Sequence, residues 1–322
     1  MIVRWGLSEL GSVLVDAGIG RPLLVASRRW AELDLPVPVQ GLWSQVPSAE
    51  VDAAAREAAG CDGIVALGGG SAIDLGKAIS AATGLPLVSV PTTYSGAEWT
   101  SFFGIRDEGR RMRGGGSGAR LAGIVYEPRL TLGLPHDASG GTALNALAHC
   151  AEALYVDGHN AEADAEALAG APLISDWLPR VLADGSDLEA RTKLLEGALH
   201  AGAALGGAGL ALGHALAQAL GGRYGLPHGA MNALCLPPAL RFNEPAAGDA
   251  IGRFAEAMGA EDAAARAEEL ARLAGFERLR DFDVPREDLP GLAEAAAQRN
   301  GARANPRPAS PAEILELFES IW

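Results

Sequence analysis

Between Leu67 and Ala72 the chain reads Gly68-Gly69-Gly70-Ser71, glycines that leave an apolar run and open a helix-forming segment. Without a Cβ in the way, such a turn lets a ligand approach the backbone and meet its amide N–H groups. The first turn of the following helix adds unsatisfied donors and about half a positive charge. That chemistry suits the pyrophosphate of a dinucleotide. The spacing matches neither G-x-G-x-x-G nor a P-loop, so a ligand-free strand-to-helix turn is the alternative from spacing alone. Asp74 and Lys77 follow on one helical face, where they either pair at the surface or reach a bound cofactor. A second polar turn, Pro91-Thr92-Thr93-Tyr94-Ser95-Gly96-Ala97-Glu98, leaves the next apolar run. Polar turns at the carboxyl ends of neighbouring strands are where open α/β sheets bind nucleotides.

The elements that must hold these turns follow from length and pattern. The 322 residues make about two domains. With 48% hydrophobic and 20% charged residues the chain is not disordered. It carries 26 Lys and Arg against 40 Asp and Glu, a net charge of −14, which argues against a nucleic-acid partner. Runs at 22–26, 61–67, 85–90 and 123–126 read as buried strands, with helices from Ser48 to Ala59 and from Ser71 to Thr83. This alternation predicts a parallel sheet with helices on both faces. Beyond Leu134 strand signals vanish, and 138–156, 161–183, 187–203, 206–221, 228–242, 247–258, 261–274 and 290–299 all read as helices, many alanine-rich. The predicted organisation is a dinucleotide-binding α/β domain over 1–135 and a helical substrate and catalytic domain over 136–322. Cys61, Cys150 and Cys235 are too few and too scattered for a disulfide framework or a cysteine zinc site. With no secretory leader or lipid-spanning run in view, a cytoplasmic protein without a membrane partner is expected.

Four motifs carry a resemblance. Gly68-Gly-Gly-Ser…Asp74…Lys77, Pro91-Thr-Thr-Tyr-Ser-Gly-Ala-Glu98, Asn145-Ala-Leu-Ala-His149-Cys-Ala-Glu-Ala-Leu-Tyr155 and His214…Gly221-Gly…Leu226-Pro-His228 stand in this order along the chain. Together they resemble the iron-containing (group III) alcohol dehydrogenase superfamily. The Thr92–Glu98 turn, Asn145 and Asn305-Pro-Arg-Pro308 look most like its maleylacetate reductase branch. The resemblance implies a Rossmann-like N-terminal domain and an all-helical C-terminal one in a dehydroquinate synthase-like architecture, with a cleft between them. It also implies NADH or NADPH on the Gly68–Ser71 turn, with Thr92 and Thr93 beside the nicotinamide and Ser95 in the same turn. The branch reduces a carbon–carbon double bond of maleylacetate to give 3-oxoadipate in aromatic-compound degradation, and dimers are common in the family. Where an acidic residue after the first strand of the fold would favour NAD, this chain has Ser27-Arg28-Arg29. Those residues either accommodate the 2′-phosphate of NADP or face solvent.

The helical half supplies candidate catalytic groups. Asn145 and His149 lie four apart, on one face of a helix. His214 lies on a later helix, and His228 follows Pro227 in the first turn of another. The resemblance implies that these side chains converge, and that metal-dependent members have Asp and three His there. Asn145 replaces the carboxylate with a carbonyl dipole, which weakens a divalent site and iron sites especially. Metal-free function is therefore expected, with zinc or iron on His149, His214 and His228 as the competitor. Without a metal, Asn145, His149, His214 and His228 are the donors for negative charge growing on the substrate. The helix dipole keeps His228 neutral. Arg223 is the candidate contact for an anionic small-molecule substrate. The cluster Arg106, Arg110, Arg111, Arg113 and Arg120 is either a basic flap or a solvated hairpin tip. Gly213, Gln218 and Asn232 depart from common family choices, so the pocket has drifted. The competing readings are a metal-dependent alcohol or aldehyde dehydrogenase, a sugar-phosphate cyclase-like lyase, and a non-catalytic nucleotide-binding descendant.

Overall fold

Runs of β-branched and aliphatic residues form the strands, and the residues between them form helices that cover both sheet faces. The computed structural model describes residues 1–31 and 33–322. It divides into two compact units, Met1–Thr93 with Ala97–Thr131 and Tyr94–Gly96 with Leu132–Trp322.

The first unit runs β1 (Ile2–Trp5), α1 (Leu10–Asp16), β2 (Pro22–Ala26), α2 (Arg28–Ala31), β3 (Gly41–Trp43), α3 (Val51–Glu57), β4 (Gly63–Gly68), α4 (Gly70–Thr83), β5 (Pro86–Pro91), β6 (Phe103–Arg106), β7 (Met112–Gly116) and β8 (Arg120–Tyr126). Six strands form one parallel sheet in the order β1-β8-β5-β4-β2-β3. Alternate side chains of each strand serve opposite faces. Leu24, Val65, Leu67, Val88, Val90 and Val125 pack with Leu10, Val13 and Leu14 of α1. Leu23, Val25, Ile64, Ala66 and Leu87 pack with Ala54 of α3 and Ile73 and Ile79 of α4. Burying each of these aliphatic side chains is worth roughly 1.5–3 kcal/mol. Central strands covered on both faces lose the polar alternation of a half-exposed sheet, which is why β2 and β4 read as unbroken apolar runs and β5 as one interrupted only by Ser89.

Two features differ from the sequence expectation, and a third takes the hairpin form that was one of its two readings. The edge strands β1 and β3, of four and three residues, are too short to show a periodicity. Ser48 does not cap α3: its Oγ accepts from the Glu50 amide at 3.1 Å, and the helix begins at Val51. The arginine-rich segment forms the antiparallel pair β6–β7, apart from the main sheet.

The second unit is built of α5 (His136–Ala153), α6 (Ala161–Ala183), α7 (Leu188–Ala208), α8 (Leu212–Tyr224), α9 (His228–Ala257), α10 (Ala263–Leu273), α11 (Leu289–Ala297), α12 (Asn300–Arg303) and α13 (Pro311–Ser320). Side chains of Asn160, Asp187, Asp262 and Ser310 accept amide hydrogen bonds at the starts of α6, α7, α10 and α13. Each such cap contributes about 1 kcal/mol. Within α9 the two helices expected at 228–242 and 247–258 are separated by non-helical backbone at Ala247 (φ −136°), two residues after Pro245. α5 is buried along nearly its whole length from Ser139 to Ala153, its Ala and Gly positions leaving room for neighbouring helices. Among the described residues no single helix is long and apolar enough to cross a membrane.

Candidate functional site

In the sheet unit, three strand ends lie side by side. Ala26 of β2 is in register with Leu67 of β4, and Gly68 of β4 with Pro91 of β5. Ser27, the Gly68–Ser71 turn and Thr92 therefore leave the same edge of the sheet. Gly68 has φ +149°, and a Cβ at Gly69 would sit 2.9 Å from Thr93 Cγ2. A side chain at Gly69 would collide with Thr93, so the two turns pack too closely for anything but glycine, and the backbone where α4 begins stays bare. Gly69, the residue preceding α4, makes no side-chain capping bond, and no acidic residue occupies the first turn. The helix start is left to an external anion. The Thr92 amide donates to Gly68 O at 3.0 Å, tying the second turn to the first. Thr93 Oγ1 is buried and has no hydrogen-bond partner. This cradle fits a dinucleotide pyrophosphate.

Asp74 and Lys77 pair with each other, one of the two readings their spacing left open, and do so in the interior instead of at the surface. Lys77 is 1% exposed, and its Nζ pairs with Asp74 Oδ1 at 2.7 Å. The ammonium also donates to Ala97 O, Thr100 Oγ1 and Phe102 O at 2.7–3.1 Å. Asp74 Oδ2 accepts from the Gly104 amide at 3.1 Å. All the donors of the ammonium are used on its own chain, so the pair organises the segment leading into β6. Arg28 is exposed at the start of α2.

In the helical unit, α5 presents Asn145, His149 and Glu152 on one face, α8 contributes His214, and α9 contributes His228 and Asn232. The rings of His149 and His214 stack at 4.7 Å between centroids and 14° between planes. His228 lies 5.8 Å from His214, tilted by 53°. Asn145 and His149 are buried, as are His214 and Asn232. Asn145 Nδ2 donates to Ser95 O at 3.1 Å and faces His149 Nε2 at 3.4 Å. Asn232 Nδ2 donates to Asn145 Oδ1 at 2.7 Å and faces His228 Nε2 at 3.1 Å. An amide N–H toward Nε2 places the proton of a neutral ring on Nδ1. His149 Nδ1 is buried without a hydrogen-bond partner. Gly96, at φ +71°, packs close to it: a Cβ there would lie 3.4 Å from that nitrogen and 3.1 Å from Gly202 Cα. Burial holds the His149 imidazole well below its usual range, and the neighbouring His214 and His228 rings add to this. His149 is therefore a neutral donor.

His214 has a different partner. Its Nδ1 lies 2.7 Å from Glu152 Oε2, and its Nε2 is buried without a partner. Glu152 is fully buried and also accepts from the Ala211 amide at 2.6 Å and the His214 amide at 3.0 Å.

The helices do not produce the metal geometry that stood as the competing reading. Lone pairs of the ring nitrogens lie in the ring planes, so near-parallel stacked imidazoles direct them along separate planes instead of to one point. The Asn145 carbonyl is taken by Asn232. Among the described residues no three His, Cys, Asp or Glu side chains are placed to hold a metal ion. Arg223 departs from expectation: it is half-exposed, pairs with Asp288 at 2.8 Å and lies over the Tyr224 ring. Asp288 neutralises the cation proposed for the substrate anion.

Sequence reasoning missed Glu152 and Asn232 as site residues. The signal for Glu152 was a carboxylate one turn beyond His149 in an otherwise apolar stretch of α5. Asn232 offered its i, i+4 spacing to His228, and only the fold brings Asn145 to it.

Comparisons with known proteins agree with this picture. Residues 4–122 match the iron-containing alcohol dehydrogenase family, and residues 140–322 match the Fe-containing alcohol dehydrogenase family, C-terminal. A maleylacetate reductase of Burkholderia cepacia is 38% identical over 264 residues, covering 82% of this chain and 74% of that protein. A maleylacetate reductase of Pseudomonas sp. (strain P51) is 34% identical over 98% of this chain and 93% of its own. The crystal structure of maleylacetate reductase from Rhizobium sp. strain MTP-10005 superposes with a TM-score of 0.90 at 30% identity, covering 100% of this chain and 95% of that one. By motif, fold and likeness, the chain belongs to the iron-containing alcohol dehydrogenase family, is similar to its maleylacetate reductase branch, and is an NAD(P)-dependent oxidoreductase.

Proposed function

We propose that the protein reduces the carbon–carbon double bond of maleylacetate, an anionic oxo-enoate, to give 3-oxoadipate, using NADH or NADPH and no metal. In this reading the α/β domain (1–135) binds the dinucleotide and the helical domain (136–322) handles the substrate. The protein acts in the cytoplasm as a homodimer, in the breakdown of aromatic compounds, with neither nucleic acid nor membrane as partner. The observation that carries it is the Asn145–Asn232 amide pair beside the stacked imidazoles: a neutral, hydrogen-bonding site where a charged carboxylate would serve a cation.

A reduced nicotinamide supplies a hydride from C4. Gly68, Gly69, Gly70 and Ser71 would hold its pyrophosphate, Thr92 and Thr93 would flank the nicotinamide, and Ser27 and Arg28 would meet the adenosine end. Hydride addition conjugate to the ketone leaves negative charge on the substrate oxygen. His149 meets that charge as a neutral donor through Nδ1, its proton kept there by the Asn145 amide. Asn232 sets His228 in the same sense. A preorganised donor of this kind is worth about 10²–10³ in rate. Asn145 takes part through His149, and burial of the cluster strengthens each interaction.

The test is the fall in reduced-nicotinamide absorbance on adding maleylacetate, with NADH and NADPH compared, before and after exhaustive chelation. Turnover unchanged by chelation and by added zinc or iron is the expected result. Turnover of simple aldehydes that appears only with added metal would replace this reading with a metal-dependent alcohol dehydrogenase. Light scattering tests the dimer.

A further inference from the structure

Glu152 is a fully buried carboxylate to which the mechanism above gives no part. It reaches from α5 to the first turn of α8, where Ala211, the residue preceding the helix, makes no capping bond of its own. Its two oxygens accept the Ala211 and His214 amides and face His214 Nδ1. The backbone is shaped around it: a Cβ on Gly213 would lie 2.9 Å from Glu152 Oε1. The departure at Gly213 is thereby accounted for, since a larger residue would displace the carboxylate.

We propose that Glu152 is the positioning residue for His214, fixing the Nδ1 proton and the ring plane so that Nε2 is the atom presented to substrate. Amides face the His149 and His228 rings, and a carboxylate lies at hydrogen-bonding distance from His214. A carboxylate that accepts Nδ1–H stabilises the ring in the form that also carries Nε2–H. This assigns the cluster's labour. His149 steadies the substrate oxygen, and His214 gives up a proton.

The inference rests on the proposed reduction, and its atoms balance there. Hydride forms one C–H bond as the π bond breaks, leaving an electron pair shared between the adjacent carbon and the ketone oxygen. His214 Nε2–H then forms the second C–H bond at that carbon. The ring is left neutral with Nδ1–H still on Glu152, and water returns the proton.

Glu152→Gln separates this role from helix capping. The amide oxygen can still accept the Ala211 and His214 amides, while its NH₂ turned to Nδ1 leaves the ring proton on Nε2 alone. The expected result is a kcat lower by about 10²–10⁴, with the KM for reduced nicotinamide within about threefold. Nitrogen-15 spectra of the histidine rings, recorded without substrate, should show His214 protonated at both ring nitrogens in the wild type and at Nε2 alone in the variant. If Glu152→Gln does not fold, Gly213→Ala, which presses on Oε1, should lower kcat by about tenfold or more and shift the same resonances. A wild-type ring protonated at one nitrogen only, or a folded Glu152→Gln with kcat within threefold of wild type, overturns the assignment. Failure of the wild type to reduce maleylacetate would overturn the reaction instead, and the ring spectra would still decide whether Glu152 sets His214.

Discussion

The surface offered to a ligand is main chain in the sheet unit and side chain in the helical unit. At Gly68–Ser71 the functional groups are amides bared by the lack of side chains, and the turn is held by β4, β5 and α4. At His149 and His214 the groups on offer are ring nitrogens, faced by Asn145 and Glu152. A binding surface made of backbone is damaged by adding atoms. One made of oriented rings is damaged by exchanging a partner of the same size.

Changes that separate these two constructions are ordered by the size of their effect. His214→Ala should lower kcat for maleylacetate by about 10²–10⁴ while nicotinamide binding, followed by fluorescence titration, stays near wild type. Gly69→Val should do the opposite, weakening nucleotide binding by about 10²-fold, because its branched side chain would meet Thr93. If Gly69→Val binds NADH normally, the main-chain account of the sheet unit is wrong. Lys77→Met removes a buried cation and leaves Ala97 O and Phe102 O without their donor. It should cost about 2 kcal/mol of stability, read as a lower denaturant midpoint.

The smallest effect concerns pH. Burial lowers the His149 pKa in the folded state, so the unfolded chain binds a proton that the folded one refuses. Stability from this residue is present above about pH 6.5, the ordinary range of the ring. It falls as pH drops toward the folded value, by at most about 1.4 kcal/mol per pH unit. Thermal melting followed from pH 7 to pH 5 should show this loss, and His149→Asn should reduce it.

The same contrast explains what could be read from the chain before folding. Strands β2, β4 and β5 and the glycine turn announce themselves because local sequence determines them: apolar runs, then residues without a Cβ. The long helices α5 to α10 were also legible, their alanine content outweighing errors of a few residues at the ends. Short edge strands were not, because three or four residues carry no period. In the site, the i, i+4 spacing of Asn145 and His149 was visible, and the motif order brought in His214 and His228. The pairing of Glu152 with His214 spans 62 residues and that of Asn232 with Asn145 spans 87. Such partners are chosen by helix packing, which no local pattern records. The burial of Lys77 and the ion pair of Arg223 went unread for the same reason, since the acceptors that occupy them come from loops distant in sequence.

The hydrogen-bonded run from Ser95 O through Asn145 to Asn232 has a consequence of its own. Primary amides neither ionise over the range of acidity a cell experiences nor compete for scarce trace elements. A scaffold made from them keeps one shape through changes in growth medium that would strip a cation or protonate a carboxylate ligand.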